Sequence, residues 1–422
     1  MTHQIYTNRY RRLDQKLRDG PVGPFVDELA SVLLAQGYKQ KYLRTRFTVI
    51  KALNQWLNRK KIDLSQLDPE TLNQFIRYRA KKNKCMSERG ELATLNTIIT
   101  IMKDRGVVPI EQEVREPNSR FEKTLSAYKL YLIDEKGLAS TTIARYLFQN
   151  RKFLDHIFHV QPVNFSTISA QNIVDYIRSY ASGHGAADSA LMVCSIRSFL
   201  RFLVFNGKIE STLSDCVPTV SCKTGLRIPS HLSGNELSHF LKYSEGSSPV
   251  QRRNHAMFLL LARLGLRASE VVTLCLDDID WEHGEVTIRA KGNKQAHLPL
   301  PKDVGNALAE YLKHARPACP FRNVFISPRA PYRPLKNGSV LSSIVNRAVK
   351  RAGLDPQNKG AHLLRHTLAT ECLRKGATLT EVGEILRHRN IDTTAIYAKV
   401  DFTRLRTLSM PWPVPSSDGG AR

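Results

Sequence analysis

Residues His362 to Tyr397 read HLLRHTLATECLRKGATLTEVGEILRHRNIDTTAIY. The stretch places His362, Arg365, His388 and Tyr397 close together, with no acidic pair, thiol nucleophile or glycine-rich phosphate loop among them. His362 and Arg365 stand at i and i+3 and so share one face of a helix. His362 also precedes His366 by four, a spacing known from zinc sites, but HLLRH lacks the glutamate of a zinc protease and sets an arginine beside the supposed metal, so metal binding is not expected. Thr378 to Glu381 has the form of a capping box, and Asp392 is placed to cap the short helix that carries Tyr397.

Upstream, another capping box, Ser233 to Glu236, opens the same part of the chain. LLLARLGLRASEVVTL (259–274) sets Arg267 in an otherwise apolar helical run. A guanidinium there needs an anion, either Glu270 one turn on or a ligand phosphate. Between 276 and 301 the period changes to that of strands, with Gly284 and KGNK (291–294) as turns, and from 339 the pattern is helical again. The expectation is a mainly α domain with a small antiparallel β-sheet.

The rest of the chain is helical and repeats itself. DLSQLDPETLNQFIRYRA (63–80) lies over NFSTISAQNIVDYIRSYA (164–181) at an offset of 101, which also pairs Gly106 with Gly207. Residues 37–57 match 137–157 in apolar spacing, one residue closer. This predicts a duplicated helical module. Proline-rich, polar stretches at 107–120 and 211–230 divide the whole into an N-terminal basic arm (1–20), a first module (21–109), a second (117–210) and a last domain (229–412). Arg145, Arg151 and Lys152 interleave the apolar positions of one helix, and Arg197 and Arg201 sit one turn apart on another. Each taken singly reads as a solvated polar face.

Together the charges say more. Sixty-three Lys and Arg against 38 Asp and Glu leave a formal +25 spread along 422 residues, which suits a long polyanion such as DNA. No apolar run approaches a membrane span. The first residues lack the apolar core of a signal peptide, so a cytoplasmic, nucleoid-associated protein is expected. Seven scattered cysteines with no CxxC spacing argue against disulfides or a zinc ribbon, and most are expected as small core residues.

A phosphodiester under attack spreads charge over its non-bridging oxygens, and two arginines can each offer them a planar fork. Histidines donate to the phosphate or accept a proton near pH 7, and a tyrosine becomes a competent nucleophile only in such surroundings. Arg267 in GLRASE, Lys291 in AKGNKQAHLPL, HLLRH and LRHRNIDTTAIY, in this order and spacing, resemble the tyrosine recombinase (phage integrase) family, Xer-type enzymes above all. The resemblance covers about 229–410; it is weaker over 117–209, and the first module lies outside the family's minimal pattern.

The resemblance implies tandem SAM-like helical DNA-binding modules ahead of a catalytic domain. It implies that Tyr397 attacks the scissile phosphate and forms a 3′-phosphotyrosine, that Arg267 and Arg365 clamp the phosphoryl oxygens, and that His388 hydrogen-bonds them. His362 would be the general base and Lys291 the acid for the departing 5′ oxygen, with Lys294 its rival. No cofactor, ATP or catalytic metal is called for, because the phosphotyrosyl bond conserves the energy of the phosphodiester. Implied partners are double-stranded DNA carrying recombination sites, three further copies in a tetramer and possible partner recombinases. The segment 398–415, with Phe402, Leu405 and Leu408 at helical spacing, is expected to dock on a neighbouring copy rather than on its own domain. The extra module suggests an integrase or transposase of a mobile element. A type IB topoisomerase and a DNA-binding regulator on the same fold are the alternatives.

Overall fold

The structure is a computed structural model that describes residues 17–82, 88–108, 121–159, 163–219, 229–289, 295–388 and 392–397. Lys291, Lys294, the KGNK turn, the segment 398–415, Cys85, Cys222, most of the basic arm and of the stretch 107–120, and residues 220–228 of the second linker stretch lie outside these residues, as does the side chain of Asp392. The chain forms two compact units, one of residues 111–227 and one of residues 1–110 together with 228–422.

Four helices make up the first module: α1 (Val26–Ala35), α2 (Gln40–Lys60), α3 (Pro69–Lys82) and α4 (Glu88–Asp104). Their apolar faces close over Leu29, Phe47, Leu53, Phe75 and Ile98. The unit 111–227 holds α5 (Glu122–Asp134), α6 (Ser140–Ile157), α7 (Ala170–Gly183) and α8 (Ala186–Phe205) around Tyr128, Phe153, Ile177 and Phe199. The two sets keep step in detail. α3 and α7 begin 101 residues apart, and so do the 3-10 turns Leu64–Gln66 and Phe165–Thr167 before them. The left-handed glycines Gly37 and Gly137, and Gly106 and Gly207, mark the same helix ends in both. Even one aromatic contact recurs: Trp56 meets Phe75 at 5.6 Å, and His156 meets Tyr176 at 5.1 Å.

The third set of elements is built around α10 (Pro249–Arg263), preceded by α9 (Gly234–Ser244) and followed by α11 (Ala268–Thr273). Residues Ala256 to Ala262 of α10 are buried on every side, the mark of a helix at the centre of a domain. Ser248 caps α10 by accepting from the Gln251 amide, and Ser233 does the same for α9 through Glu236. Three antiparallel strands follow in the order β1 (Ile279–Asp280), β2 (Glu285–Arg289) and β3 (Gln295–Pro299). Val286 pairs with Leu298 and Ile288 with Ala296, and the two buried β2 side chains each contribute about 1.5–3 kcal/mol to holding the sheet on the core. Then come α12 (Lys302–His314), α13 (Gly338–Arg351), α14 (Ala361–Arg374), α15 (Leu379–Ile385) and α16 (Asp392–Ala395).

Two expectations need correction. The run 259–274 is not one helix: Gly265, at φ +57, breaks it, and Arg267 stands at the head of α11. The five described cysteines do not fill cores, since Cys194 and Cys216 are exposed and Cys275, Cys319 and Cys372 are half-buried. On α8, the buried positions on either side of Cys194 belong to Val193 and Ser195, which leaves the thiol facing out. Among the described residues no helix is long and apolar enough to cross a membrane.

Candidate active site

Helix α14 is preceded by Gly360, whose φ of +119 suits a glycine and turns the chain so that His362, Arg365 and His366 fall in the first turns. Arg365 is 3% exposed. Its Nη1 donates to the carbonyl of Gly265 and its Nη2 to that of Leu386, so one guanidinium ties the break before α11 to the end of α15. Burial, with Arg267 and Arg387 nearby, pulls its pKa down to about 10, which leaves it charged near neutrality.

Arg267 answers the question of its anion in part. Its amide donates to Glu270 Oε2 and its Nη1 to Oε1, both at 2.8 Å, while Nη2 reaches the carbonyl of Arg387 at 3.2 Å. The same carboxylate receives Arg387 Nη2 at 3.1 Å. Burial alone would push Glu270 up, but these hydrogen bonds and the two guanidinium charges outweigh it and hold the carboxyl below its usual range. Arg267 and Arg387 thus share one carboxylate, and with Arg365 close enough to feel all three charges the cluster carries a surplus of two positive charges, largely buried.

Tyr397 is 1% exposed and packs with Val382 and Leu386 of its own chain. Its hydroxyl lies 2.6 Å from Nδ1 of His366. Burial raises the phenol to about 12, and the charge of Arg365 acts in the opposite sense. His366 is pushed down to about 4 by burial and by His362 and Arg365, so its ring is neutral near pH 7, and in the tautomer with its hydrogen on Nε2 the Nδ1 accepts from the phenol. His388 stacks parallel to Tyr397 with ring centres 6.5 Å apart, and its Nδ1 bonds Thr394 Oγ1 at 2.8 Å. Burial and the charges of Arg365 and Arg267 push it down to about 4 as well. In the tautomer where Thr394 donates into Nδ1, Nε2 carries the hydrogen and can offer it to a ligand oxygen.

The structure therefore brings together Arg267, Arg365, His388 and Tyr397, with His362 on the same helix face. The acceptor of the Tyr397 hydroxyl is His366, not His362, whose ring centre lies 6.1 Å from that of His366 and reaches solvent. Burial and the charges of Arg365 and Arg267 keep His362 below its ordinary range too. Arg289 and Gln295 pair across β2 and β3 and so bracket the segment that contains Lys291 and Lys294. Two participants escaped the sequence reading. His366 was visible only as half of a rejected metal pair; Arg387 contacts Glu270 across 117 residues, which no local spacing reveals. Of the basic residues in the second module, Arg145 and Arg201 are exposed, Lys152 lies 4.6 Å over the Phe148 ring, Arg151 pairs with Glu122 at 2.7 Å, and Arg197 donates to the Val217 carbonyl at 3.0 Å.

The pattern of the phage integrase family matches residues 230–404, and that of the phage integrase N-terminal SAM-like domain matches 125–207. A putative integrase/recombinase, y4rA, of Sinorhizobium fredii is 37% identical over 395 residues, covering 94% of this chain and 95% of its own. The tyrosine recombinase XerD of Listeria monocytogenes is 31% identical over 281 residues, 65% of this chain and 93% of its own. Among solved structures, the XerH site-specific recombinase bound to a palindromic difH substrate superposes with a TM-score of 0.56 at 22% identity, covering 79% of this chain and 93% of that one, a likeness of fold. Helical modules before a mainly α domain, with Tyr397 set among arginines and histidines, define a tyrosine recombinase. The chain belongs to the phage integrase family.

Proposed function

We propose that this protein is a site-specific recombinase that cuts and rejoins DNA through Tyr397, serving a mobile element as integrase or transposase. The observation that carries this is the Tyr397 hydroxyl 2.6 Å from a neutral histidine, beside an arginine cluster with two surplus positive charges. That surplus matches a phosphodiester whose negative charge grows as the phosphorus becomes five-coordinate.

In the proposed step the phenolic oxygen of Tyr397 attacks phosphorus while its proton passes to histidine. The P–O5′ bond breaks, its electron pair stays on O5′, and Lys291 supplies the proton that makes a 5′-hydroxyl. Arg267 and Arg365 hold the non-bridging oxygens and His388 Nε2 donates to one of them. Rejoining runs the same exchange backwards with a 5′-hydroxyl from another strand, so no outside energy source is consumed. Because Tyr397 packs on α15 of its own chain, cleavage in cis is proposed. Four copies on two duplexes form the working assembly, with 117–210 and 229–412 gripping the DNA and 21–109 as an additional binding module.

A nicked suicide duplex tests this. The wild type forms a denaturation-resistant protein–DNA adduct in the presence of a chelator, and Tyr397→Phe binds the duplex but forms none. An adduct that persists in Tyr397→Phe would refute the nucleophile.

A further inference from the structure

The sixty-three basic residues are not all accounted for by the site at Tyr397. At the opposite end of α10 a cavity of about 660 Å³ opens between α10 and α13, and none of the residues lining it carries a carboxylate. Four of them are arginines: 253, 329, 347 and 351. Arg253 is 4% exposed, an unusual burial for a cation without an acidic partner. Among the described residues its guanidinium bonds only neutral acceptors, the side-chain oxygen of Asn254 at 2.9 and 3.2 Å and the carbonyl of Ile326 at 3.1 Å. Burial holds its pKa below the ordinary arginine value, and Arg347 adds to the effect. Arg329, Arg347 and Arg351 are exposed around it. Tyr243, 48% exposed, stands at the rim.

Two rods separate this cavity from the nucleophile. α10 runs from Pro249 beside the cavity to Arg263, just before Gly265 and Arg267. α13 starts at Gly338, against Ala268, and ends at Arg351 in the cavity wall. Fourteen to fifteen residues of helix at 1.5 Å each put the two places about 20 Å apart. The basic cluster is therefore not an extension of the phosphate clamp.

We propose that this cavity is a second phosphate-binding site, in which Arg253, Arg347 and Arg351 clamp the phosphate of a nucleotide unit and Tyr243 offers its ring to the base. A buried guanidinium held by neutral acceptors keeps its whole charge for an incoming anion, and the planar forks of two exposed arginines complete the coordination. An aromatic face beside the phosphates is the usual complement for a base. The phosphate belongs either to a free nucleotide or to a DNA strand beyond the one being cut.

Titration calorimetry of the full chain distinguishes these cases, with pyrophosphate, ADP and a single-stranded oligonucleotide as probes. The comparison is between wild type, Arg347→Gln/Arg351→Gln, and Lys302→Gln/Lys313→Gln, which removes the same charge from exposed positions of α12. The arginine pair is exposed, so its replacement should leave the fold intact, which the thermal midpoint checks. The expected result is at least a tenfold loss of ADP affinity in the arginine variant, none in the lysine variant, and an unchanged rate of adduct formation on a suicide duplex. Tyr243→Ala should weaken ADP but not pyrophosphate. Displacement of ADP by the oligonucleotide at tenfold lower concentration assigns the site to a nucleic acid strand; failure to displace assigns it to a free nucleotide. Equal affinities in wild type and arginine variant, or equal losses in the arginine and lysine variants, would overturn the proposal.

Discussion

Burial is the largest influence on the protonation of both His366 and Tyr397. A phenol at about 12 against an imidazole at about 4 keeps the proton on the tyrosine near neutrality, with its oxygen 2.6 Å from Nδ1 of His366, as the proposed attack on a phosphate requires. Replacing His366 by Ala should slow adduct formation roughly 10²-fold, within the usual range for loss of a general base, with duplex binding unchanged. Rapid-quench measurement of the adduct checks this, and a full-size loss in His362→Ala with none in His366→Ala would return the role to His362. The same depressed values bear on stability. Near pH 6.5 and below the unfolded chain takes up protons on histidine, whereas the folded site refuses them at positions 366 and 388 until about pH 4. Stability present above pH 6.5 is therefore lost as the pH falls toward 4. Thermal midpoints measured across that window should drop, and less steeply in His366→Gln.

The short break between α10 and α11 matters as much as the helices it joins. Gly265 is left-handed at φ +57, its carbonyl receives Arg365, and a Cβ there would stand 2.8 Å from a methyl group of Leu386. Gly265→Ala should cost about 1–3 kcal/mol by strain and crowding and should also slow cleavage, because the carbonyl that orients Arg365 moves with it. Denaturant unfolding and the suicide-substrate rate read the two effects separately. Thr378 caps α15, which carries Leu386 to the same guanidinium; Thr378→Ala should cost about 1 kcal/mol and leave the sheet untouched. The capping boxes at 233 and 378, the small sheet and the helical period of 339–354 were legible in the sequence because each depends on residues within a few positions of one another. The break at 265 was not, since its glycine sits in an apolar run that reads as one helix until Arg365 and Leu386 are brought against it from elsewhere in the chain.

In the larger unit the first module meets the last domain at one defined place. The Tyr332 amide donates to the carbonyl of Gln36 at 2.9 Å, its ring covers Gly37, and Ala330 packs on the module's core. Gly37 is at φ +90, and a Cβ would fall 2.2 Å from the Tyr332 ring. Tyr332→Ala should loosen this joint and make residues 1–110 several-fold more sensitive to limited proteolysis, while the adduct rate on a short core duplex stays the same. DNA affinity overall should fall steeply with salt, as expected for a chain of +25 that displaces counterions, and gel-shift titrations between 50 and 200 mM salt would measure the slope.

Local patterning determined the helical modules and their repeat, the small antiparallel sheet, and the residue types that chemistry on a phosphodiester demands, because periodicity, caps and turns act within a helix or hairpin. The tertiary structure alone decided which histidine lies against the Tyr397 hydroxyl and that Arg387 shares Glu270 with Arg267. It also decided that Arg253 lies buried against neutral acceptors, with no carboxylate partner among the described residues. Those facts depend on side chains brought together from distant parts of the chain, and on burial, which sets each group's charge; neither is written in the spacing of neighbours.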